Sequence, residues 1–375
     1  MHLTFIAGAR PNFMKVAPLL MVARDARLPC RLVHTGQHYD EQMSARFFDE
    51  LELPVPDAHL GVGSGTHAVQ TARVMAGFDD ELEQHPADAV VVVGDVNSTL
   101  ACALVAAKRN VAIAHVEAGL RSGDRRMPEE INRVLTDHLA DWLFTTERAA
   151  EANLVAEGIA RSRIHFVGNV MIDTLRRHQR RALSRPVLAE LGLAPGGYAL
   201  CTLHRPSNVD TPAAADNTVR ALREVAARLP TVVPMHPRTR ACLQQFGLLA
   251  ALERDERVVI TEPKGYLDFL ALMSQARLVF TDSGGIQEET TAMGIPCLTF
   301  RENTERPITV THGTNQLLGV DPARTAAAVE QVLAGNGRDG RIPELWDGRA
   351  AGRILQILAR PVSSGATADM ETAVA

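Results

Sequence analysis

Cysteine is scarce in this chain, and where it occurs it is scattered. The five cysteines (Cys30, Cys102, Cys201, Cys242 and Cys297) are odd in number and never form a Cys-x-x-Cys pair, which argues against a disulfide scaffold or a zinc site. No apolar run approaches the roughly 20 residues that a membrane span needs. Positive charge is not in surplus either. The formal net charge is −5, so no global field is available to hold nucleic acid or an anionic membrane. Any anionic ligand has to be met by a local group of Arg, Lys and helix N-termini. The first residues, Met1-His2-Leu3-Thr4-Phe5-Ile6, lack the basic head and cleavage site of a signal peptide and read as a strand, so a cytoplasmic protein is expected. What is present is 46% apolar against 22% charged residues, a globular balance that excludes a disordered or collagen-like chain. A length of 375 residues is too great for one ordinary core and suits two domains of roughly 100–200 residues.

Short β-branched runs alternate with amphipathic stretches. Residues 3–7, 31–34, 89–93, 111–116, 142–145 and 165–167 read as strands, and 15–25, 43–50, 68–83, 99–108, 130–140 and 149–157 as helices by their 3.6-residue spacing. After a charged stretch with a proline, 175–186, the rhythm restarts with strands at 198–203, 231–234, 258–261, 278–281 and 296–299. This alternation predicts an α/β protein: two Rossmann-like, doubly wound domains facing a cleft, with ligands at the carboxyl ends of the strands. The boundaries are 1–168 and 169–348, followed by a helix at 349–360 and a frayed tail at 361–375.

Chemistry-bearing residues gather at the predicted strand ends. The first strand runs into Gly8-Ala9-Arg10-Pro11 and a helix with Lys15. That combination suits a phosphate or sugar hydroxyl, or is simply a tight turn with a surface arginine. Asp95 follows the apolar run 90–93. It is either a helix N-cap or, with Asn97 and Ser98 available to cap, free to point into the cleft. The next strand closes on His115-Val116-Glu117, whose alternation sets His115 and Glu117 on one face. Such groups are costly to bury unless paired or functional. A metal reading would need a later Pro-Cys-x-x-Cys, which is absent. Pro128 suits a first helical position, Glu130 reads as helix-terminal structure, and the role of Glu129 depends on how the loop folds.

In the second half, strands end in His204-Arg205-Pro206 and, after Pro234, in His236-Pro237-Arg238. The clearest local signal is a strand running into Asp282-Ser283-Gly284-Gly285 and a helix. This is an anion seat suited to a diphosphate, with Glu289 one turn further on the same face, where a carboxylate can accept both hydroxyls of a ribose.

Together these residues resemble the non-hydrolysing UDP-N-acetylglucosamine 2-epimerases. The resemblance spans Gly8 to about Leu318 and rests on Gly94-Asp95-Val96-Asn97-Ser98-Thr99, His115-Val116-Glu117-Ala118-Gly119-Leu120-Arg121, Pro128-Glu129-Glu130-Ile131-Asn132-Arg133, Ser283 to Glu289, and Thr304-Glu305-Arg306-Pro307. It implies a GT-B type fold with the C-terminal helix crossing back onto the first domain, and a homodimer. By resemblance, Asp95, Glu117 and Glu129 are catalytic carboxylates and His204 a catalytic histidine. Arg10, Lys15, His236, Ser283, Gly284, Gly285 and Glu289 contact the UDP-sugar, and Phe269 holds the uracil. The implied reaction interconverts UDP-GlcNAc and UDP-ManNAc by anti elimination of UDP to 2-acetamidoglucal and re-addition, and calls for neither a metal nor another cofactor. Close spacing of the carboxylates is expected to raise at least one pKa and leave an acid beside a base.

Three departures stand out. His204-Arg205-Pro206-Ser207-Asn208 replaces the commoner His-Arg-Arg-Glu, and Lys264 stands where many members have Gln. Gln37-His38 keeps the pair that binds an allosteric UDP-GlcNAc in bacterial members, but the residues after it differ. The stretches 35–40 and 236–240 also resemble a sister branch acting on UDP-2,3-diacetamido-glucuronate, where an extra Arg near the sugar could meet the carboxylate, whereas Thr304-Glu305-Arg306-Pro307 fits the UDP-GlcNAc branch better. A GT-B glycosyltransferase is the alternative from another class.

Overall fold

A computed structural model of the chain describes residues 1–8, 10–36 and 48–359; the side chains of Arg10 and Pro11 also lie outside the described part. The alternation folds into two parallel sheets. The first holds β1 (Leu3–Ala7), β2 (Cys30–His34), β3 (Ala58–His59), β4 (Ala89–Val93), β5 (Ala112–Ala118), β6 (Trp142–Thr145) and β7 (Ile164–Phe166), in the order β3-β2-β1-β4-β5-β6-β7. The second holds β8 (Ala199–Thr202), β9 (Thr231–Pro234), β10 (Val258–Thr261), β11 (Leu278–Thr281), β12 (Cys297–Thr299) and β13 (Asn315–Leu317), in the order β10-β9-β8-β11-β12-β13. The pairings on either side of each sheet's first strand are parallel. In both sheets the winding direction reverses beside that first strand, between β1 and β4 and between β8 and β11. In open sheets of this kind the ligand crevice opens at the strand carboxyl ends of such a switch point. The two crevices therefore belong to the loops after β1, β4, β8 and β11.

Two short strands escaped the sequence reading. Ala58–His59 and Asn315–Leu317 have two and three residues, too few for a period to register. The predicted helix at 43–50 falls mostly outside the described residues, as does the tail beyond 359.

The helices used below are α1 (Arg10–Asp25), α2 (Asn97–Lys108), α3 (Pro128–Leu139), α4 (Val170–Leu183), α5 (Tyr266–Ser274), α6 (Gly284–Met293) and α7 (Ala350–Leu358). Most of the charged stretch 175–186 is helical and belongs to α4. Val170 to Leu175 are all buried, so the first half of α4 is enclosed on every side, while Arg177 and Arg181 in its second half reach out to Glu52. The basic residues of that stretch form the solvent face of the helix's second half. α4 is central to the packing. One buried cluster runs from Phe5 and Phe13 through Ile172 and Leu175 to Leu200 and Leu270, joining both sheets. α7 packs on α1 and α4, and its first N–H groups, from Ala350 and Ala351, donate to the Asp173 carboxylate at 3.1 and 2.8 Å. Just before α7, the buried Trp346 donates its indole N–H to the carbonyl of Thr146 at 3.0 Å. No helix among the described residues is long and apolar enough to cross a membrane.

Candidate active site

After β4 the chain turns through Gly94 at φ +66°. A side chain there would bring a Cβ within 2.9 Å of Lys15 Nζ, so both the left-handed turn and the close approach call for glycine. The expected caps do not form. Val96 is the N-cap of α2 and makes no side-chain bond. Asn97 instead donates to Gln70 Oε1 at 2.8 Å, and Ser98 Oγ lies 2.7 Å from Thr35 Oγ1. Nor is the Asp95 carboxylate free, since it pairs with Arg133 of α3. Asn132, one residue before Arg133, donates to the Asp95 carbonyl at 2.9 Å.

β5 departs from simple alternation at its end. Ala114 and Val116 pack into one core cluster, whereas Ile113 and Ala118 pack into the other. One extra residue is thus inserted at Glu117, where the register with β6 shifts and φ is +73°. A left-handed conformation costs a non-glycine residue roughly 1–2 kcal/mol, and such strain concentrates at functional sites. The bulge separates Glu117 from His115, contrary to the expectation of a shared face. His115 contacts Asp137 and the Gly94 carbonyl. Glu117, 4% exposed, pairs instead with Lys15 Nζ of α1 and with Arg306 Nη2 at 2.7 Å.

Glu130 is structural, as the sequence indicates. Its carboxylate accepts the Ser122 and Gly123 N–H groups at 2.9 and 3.0 Å and pairs with Arg133 at 2.7 Å. Glu129 is exposed and lines a cavity of about 580 Å³ with His67, Arg205 and Arg301.

On the second sheet, the buried Asp282 after β11 organises the end of β8. Its Oδ2 accepts the N–H groups of His204 and Arg205 at 2.9 and 2.8 Å and the Asn208 amide at 3.0 Å, while Oδ1 lies 3.0 Å from His204 Nδ1. Burial opposes its charge, but the His204 contacts and these donors hold the Asp282 carboxyl below its ordinary range. His204 is thereby oriented with its ring 5.9 Å from that of His236. His236 Nδ1 accepts the Arg238 N–H at 3.1 Å and caps the following helix.

Ser283 precedes α6 without capping it through its side chain. A Cβ on Gly284 would stand 2.5 Å from Arg306 Nη1 and 2.7 Å from Glu305 Oε1, so the missing side chain lets that arginine approach the helix N-terminus. Ser283, Gly285, Ile286 and Glu289 form one wall of a cavity of about 300 Å³, faced by Lys15 and Arg306. A neighbouring cavity of about 200 Å³ shares Phe269, Lys264 and Ser283 and reaches His204 and His236. Eight sequence-predicted residues therefore line or abut one connected space: Lys15, Glu117, His204, His236, Phe269, Ser283, Gly285 and Glu289. Gly284 backs it, Asp95 lies beside it on Arg133, and Glu129 faces the separate cavity. The Arg10 side chain, Gln37 and His38 lie outside the described residues.

Arg306 is the residue whose role the sequence reading missed. It occurs in the Thr-Glu-Arg-Pro motif, but nothing local indicates that it reaches Glu117, 189 positions away. It also meets Glu305 at 2.5 Å and Glu288 at 3.0 Å. Burial alone would lower its pKa, but Glu288, Glu305 and Glu117 outweigh burial and hold it charged. The reverse applies at Glu117, where burial pushes the carboxyl up and Lys15 and Arg306 bring it below its ordinary value. The expectation that crowding raises a pKa within the Asp95–Glu117–Glu129 group thus fails at Glu117, because two cations face it. The raised carboxyls are others: burial lifts Glu288 and Glu147 to about 7, with Arg306 partly opposing, and Glu289 to about 8, with the Tyr266 hydroxyl, 3.1 Å away, partly opposing. Among the described residues, no group of three His, Cys, Asp or Glu is arranged to hold a metal ion.

Two doubly wound sheets facing a nucleotide-sized cleft define an α/β enzyme of GT-B type. A family model described as UDP-N-acetylglucosamine 2-epimerase matches residues 21–359. The UDP-N-acetylglucosamine 2-epimerase of Methanocaldococcus jannaschii is 41% identical over 363 residues, 96% of this chain and 99% of its own. Its structure in complex with UDP-GlcNAc and UDP superposes with a TM-score of 0.89 over 96% of this chain and 99% of that one. The UDP-2,3-diacetamido-2,3-dideoxy-D-glucuronate 2-epimerase of Pseudomonas aeruginosa is 40% identical over 369 residues, 96% of this chain and all of its own. This chain belongs to the UDP-N-acetylglucosamine 2-epimerase family and is an isomerase.

Proposed function

We propose that the protein interconverts UDP-GlcNAc and UDP-ManNAc by eliminating UDP and adding it back. The observation that carries this reading is the Lys15–Glu117–Arg306 contact, which sets a buried carboxylate against the cavity wall formed by the start of α6. The diphosphate sits at the N–H groups of Gly284 and Gly285 with Arg306 alongside, the ribose meets Glu289, and the uracil lies against Phe269. A dianion arriving there competes for Lys15 and Arg306. As those cations turn to the phosphates, the Glu117 carboxylate loses the partners that hold its pKa down and becomes a stronger base.

In the reaction, the carbon 2 proton passes to a carboxylate of the Asp95, Glu117 and Glu129 group while the bond from carbon 1 to UDP oxygen breaks. This leaves 2-acetamidoglucal and UDP. Lys15, Arg306 and the helix N-terminus stabilise the charge on the departing diphosphate. UDP then re-adds at carbon 1 as a proton is delivered to the opposite face of carbon 2. His204, oriented by Asp282, stands where a donor can meet the leaving phosphate. The sugar lies between the domains, 1–168 with 349–360 and 169–348, whose closure excludes water.

Substrate branch is the point to test, because one similar relative acts on the diacetamido uronate. Arg238 meets Asp210 at 2.9 Å, and Arg240 lies 3.7 and 3.5 Å from Glu253 and Glu262, exposed pairs that a uronate carboxylate could displace. What favours the neutral sugar is Thr304-Glu305-Arg306-Pro307, which fits the UDP-GlcNAc branch better. Chromatography of the purified protein with each UDP-sugar decides it. UDP-ManNAc from UDP-GlcNAc is expected, and epimerisation of the uronate alone would overturn the assignment. A homodimer in the cytoplasm completes the proposal. Ile131 and Leu135, exposed one turn apart on α3, suit a subunit contact, and five free thiols suit a reducing compartment.

A further inference from the structure

Beneath Asp95 and Glu117 lies a buried polar ladder that the reaction chemistry above does not use. His115 is fully buried, and both its ring nitrogens face acceptors. Nδ1 lies 2.6 Å from Asp137 Oδ1, and Nε2 lies 2.9 Å from the carbonyl oxygen of Gly94. The other oxygen of Asp137, also fully buried, accepts the Gly119 N–H at 3.1 Å and lies 2.7 Å from Arg121 Nη2. Arg121 in turn pairs with Glu157 at 2.7 Å, near the surface. A neutral imidazole would set a bare nitrogen against either the carboxylate or the carbonyl. Only a ring that donates from both nitrogens satisfies both partners.

The attachment points give the ladder its meaning. The Gly94 carbonyl immediately precedes Asp95, and Gly119 comes two residues after Glu117. Asp137 lies on α3, which also carries Arg133, the partner of Asp95. One buried ring therefore ties together the ends of β4 and β5 and the helix that orients the first carboxylate. We infer that His115, held by Asp137, is a positioning residue that fixes the separation of Asp95 and Glu117 and hence the geometry of proton transfer at carbon 2. The inference rests on the epimerase reading.

The test uses the full chain as wild type, His115→Asn and Asp137→Asn. UDP affinity is expected to stay within about threefold, because apart from Lys15 on α1 the proposed nucleotide contacts lie on the other sheet. Turnover should fall roughly 10²-fold, the usual cost of displacing a catalytic group by about 1 Å, with little change in KM. A larger share of turnovers should leak 2-acetamidoglucal and UDP, as reprotonation fails. Imidazole ¹⁵N NMR of the wild type, with the His115 signal assigned by its loss in His115→Asn or, should that variant not fold, by selective labelling, should report two protonated nitrogens. A ring with one bare nitrogen overturns the inference. So does unchanged turnover in folded His115→Asn, or a parallel loss of turnover and UDP affinity. A wild type that does not epimerise overturns the reaction reading instead, and the NMR result separates the two failures.

Discussion

Replacing Glu289 with Gln should make the unliganded protein more stable and its nucleotide weaker-bound. Glu289 is 3% exposed, and burial pushes its carboxyl to about 8, against about 4.3 for an unperturbed glutamate. A carboxyl whose folded pKa is raised contributes stability that is fully present below the unfolded pKa and is lost as pH rises through the folded one. The wild type therefore loses stability between about pH 4.3 and 8, on the order of 3 kcal/mol by pH 7. Glutamine does not titrate and still offers an oxygen to the Tyr266 hydroxyl. The variant should match the wild type near pH 4, exceed it by about 3 kcal/mol at pH 7, and gain further up to about pH 8. The same change removes a carboxyl oxygen proposed for the ribose hydroxyls, a loss of about 0.5–1.5 kcal/mol, or roughly 2- to 10-fold in UDP affinity. Urea unfolding of both proteins at pH 4.5 and 7.5, with UDP titration at pH 7.5, measures both effects. A stability difference independent of pH would refute the burial argument, and unchanged UDP affinity would refute the ribose contact.

Glu117→Gln should retain UDP binding while turnover falls by about 10²–10⁴-fold, the range for a lost acid or base, and Asp95→Asn should behave alike; full activity in both would remove the carboxylates from the mechanism. Gly284→Ala drives a methyl into Arg306 and Glu305, so steady-state kinetics should show a raised KM and a lowered kcat; wild-type constants would mean Arg306 is not at the nucleotide. Saturating UDP-GlcNAc should compact the small-angle scattering profile as the cleft closes; an unchanged profile would argue for a rigid cleft.

The parts of this structure that were legible in the sequence are the local ones. Runs such as Ala89–Val93 and Leu278–Thr281 are buried parallel strands whose composition declares them. Ser283 to Glu289 reads directly because turn, helix start and carboxylate lie within seven positions. Non-local geometry was not legible. The bulge that turns Glu117 out of register depends on packing against β6, and periodicity assumes no such insertion. The Arg306–Glu117 pair joins opposite walls of the cleft. The stretch 175–186 did not register as part of a helix because charge count says nothing about which side of a helix bears the charge. Crowded carboxylates suggest raised pKa values only until the facing cations are known, as Lys15 and Arg306 show.

The most direct test of the central claim is proton NMR of the protein with UDP-GlcNAc in deuterated water. UDP-ManNAc with deuterium at carbon 2 is expected, since the proton delivered to the opposite face comes from an acid that has equilibrated with the deuterated solvent. UDP-ManNAc that retains its carbon 2 proton, or a spectrum of UDP-GlcNAc that never changes, would contradict it.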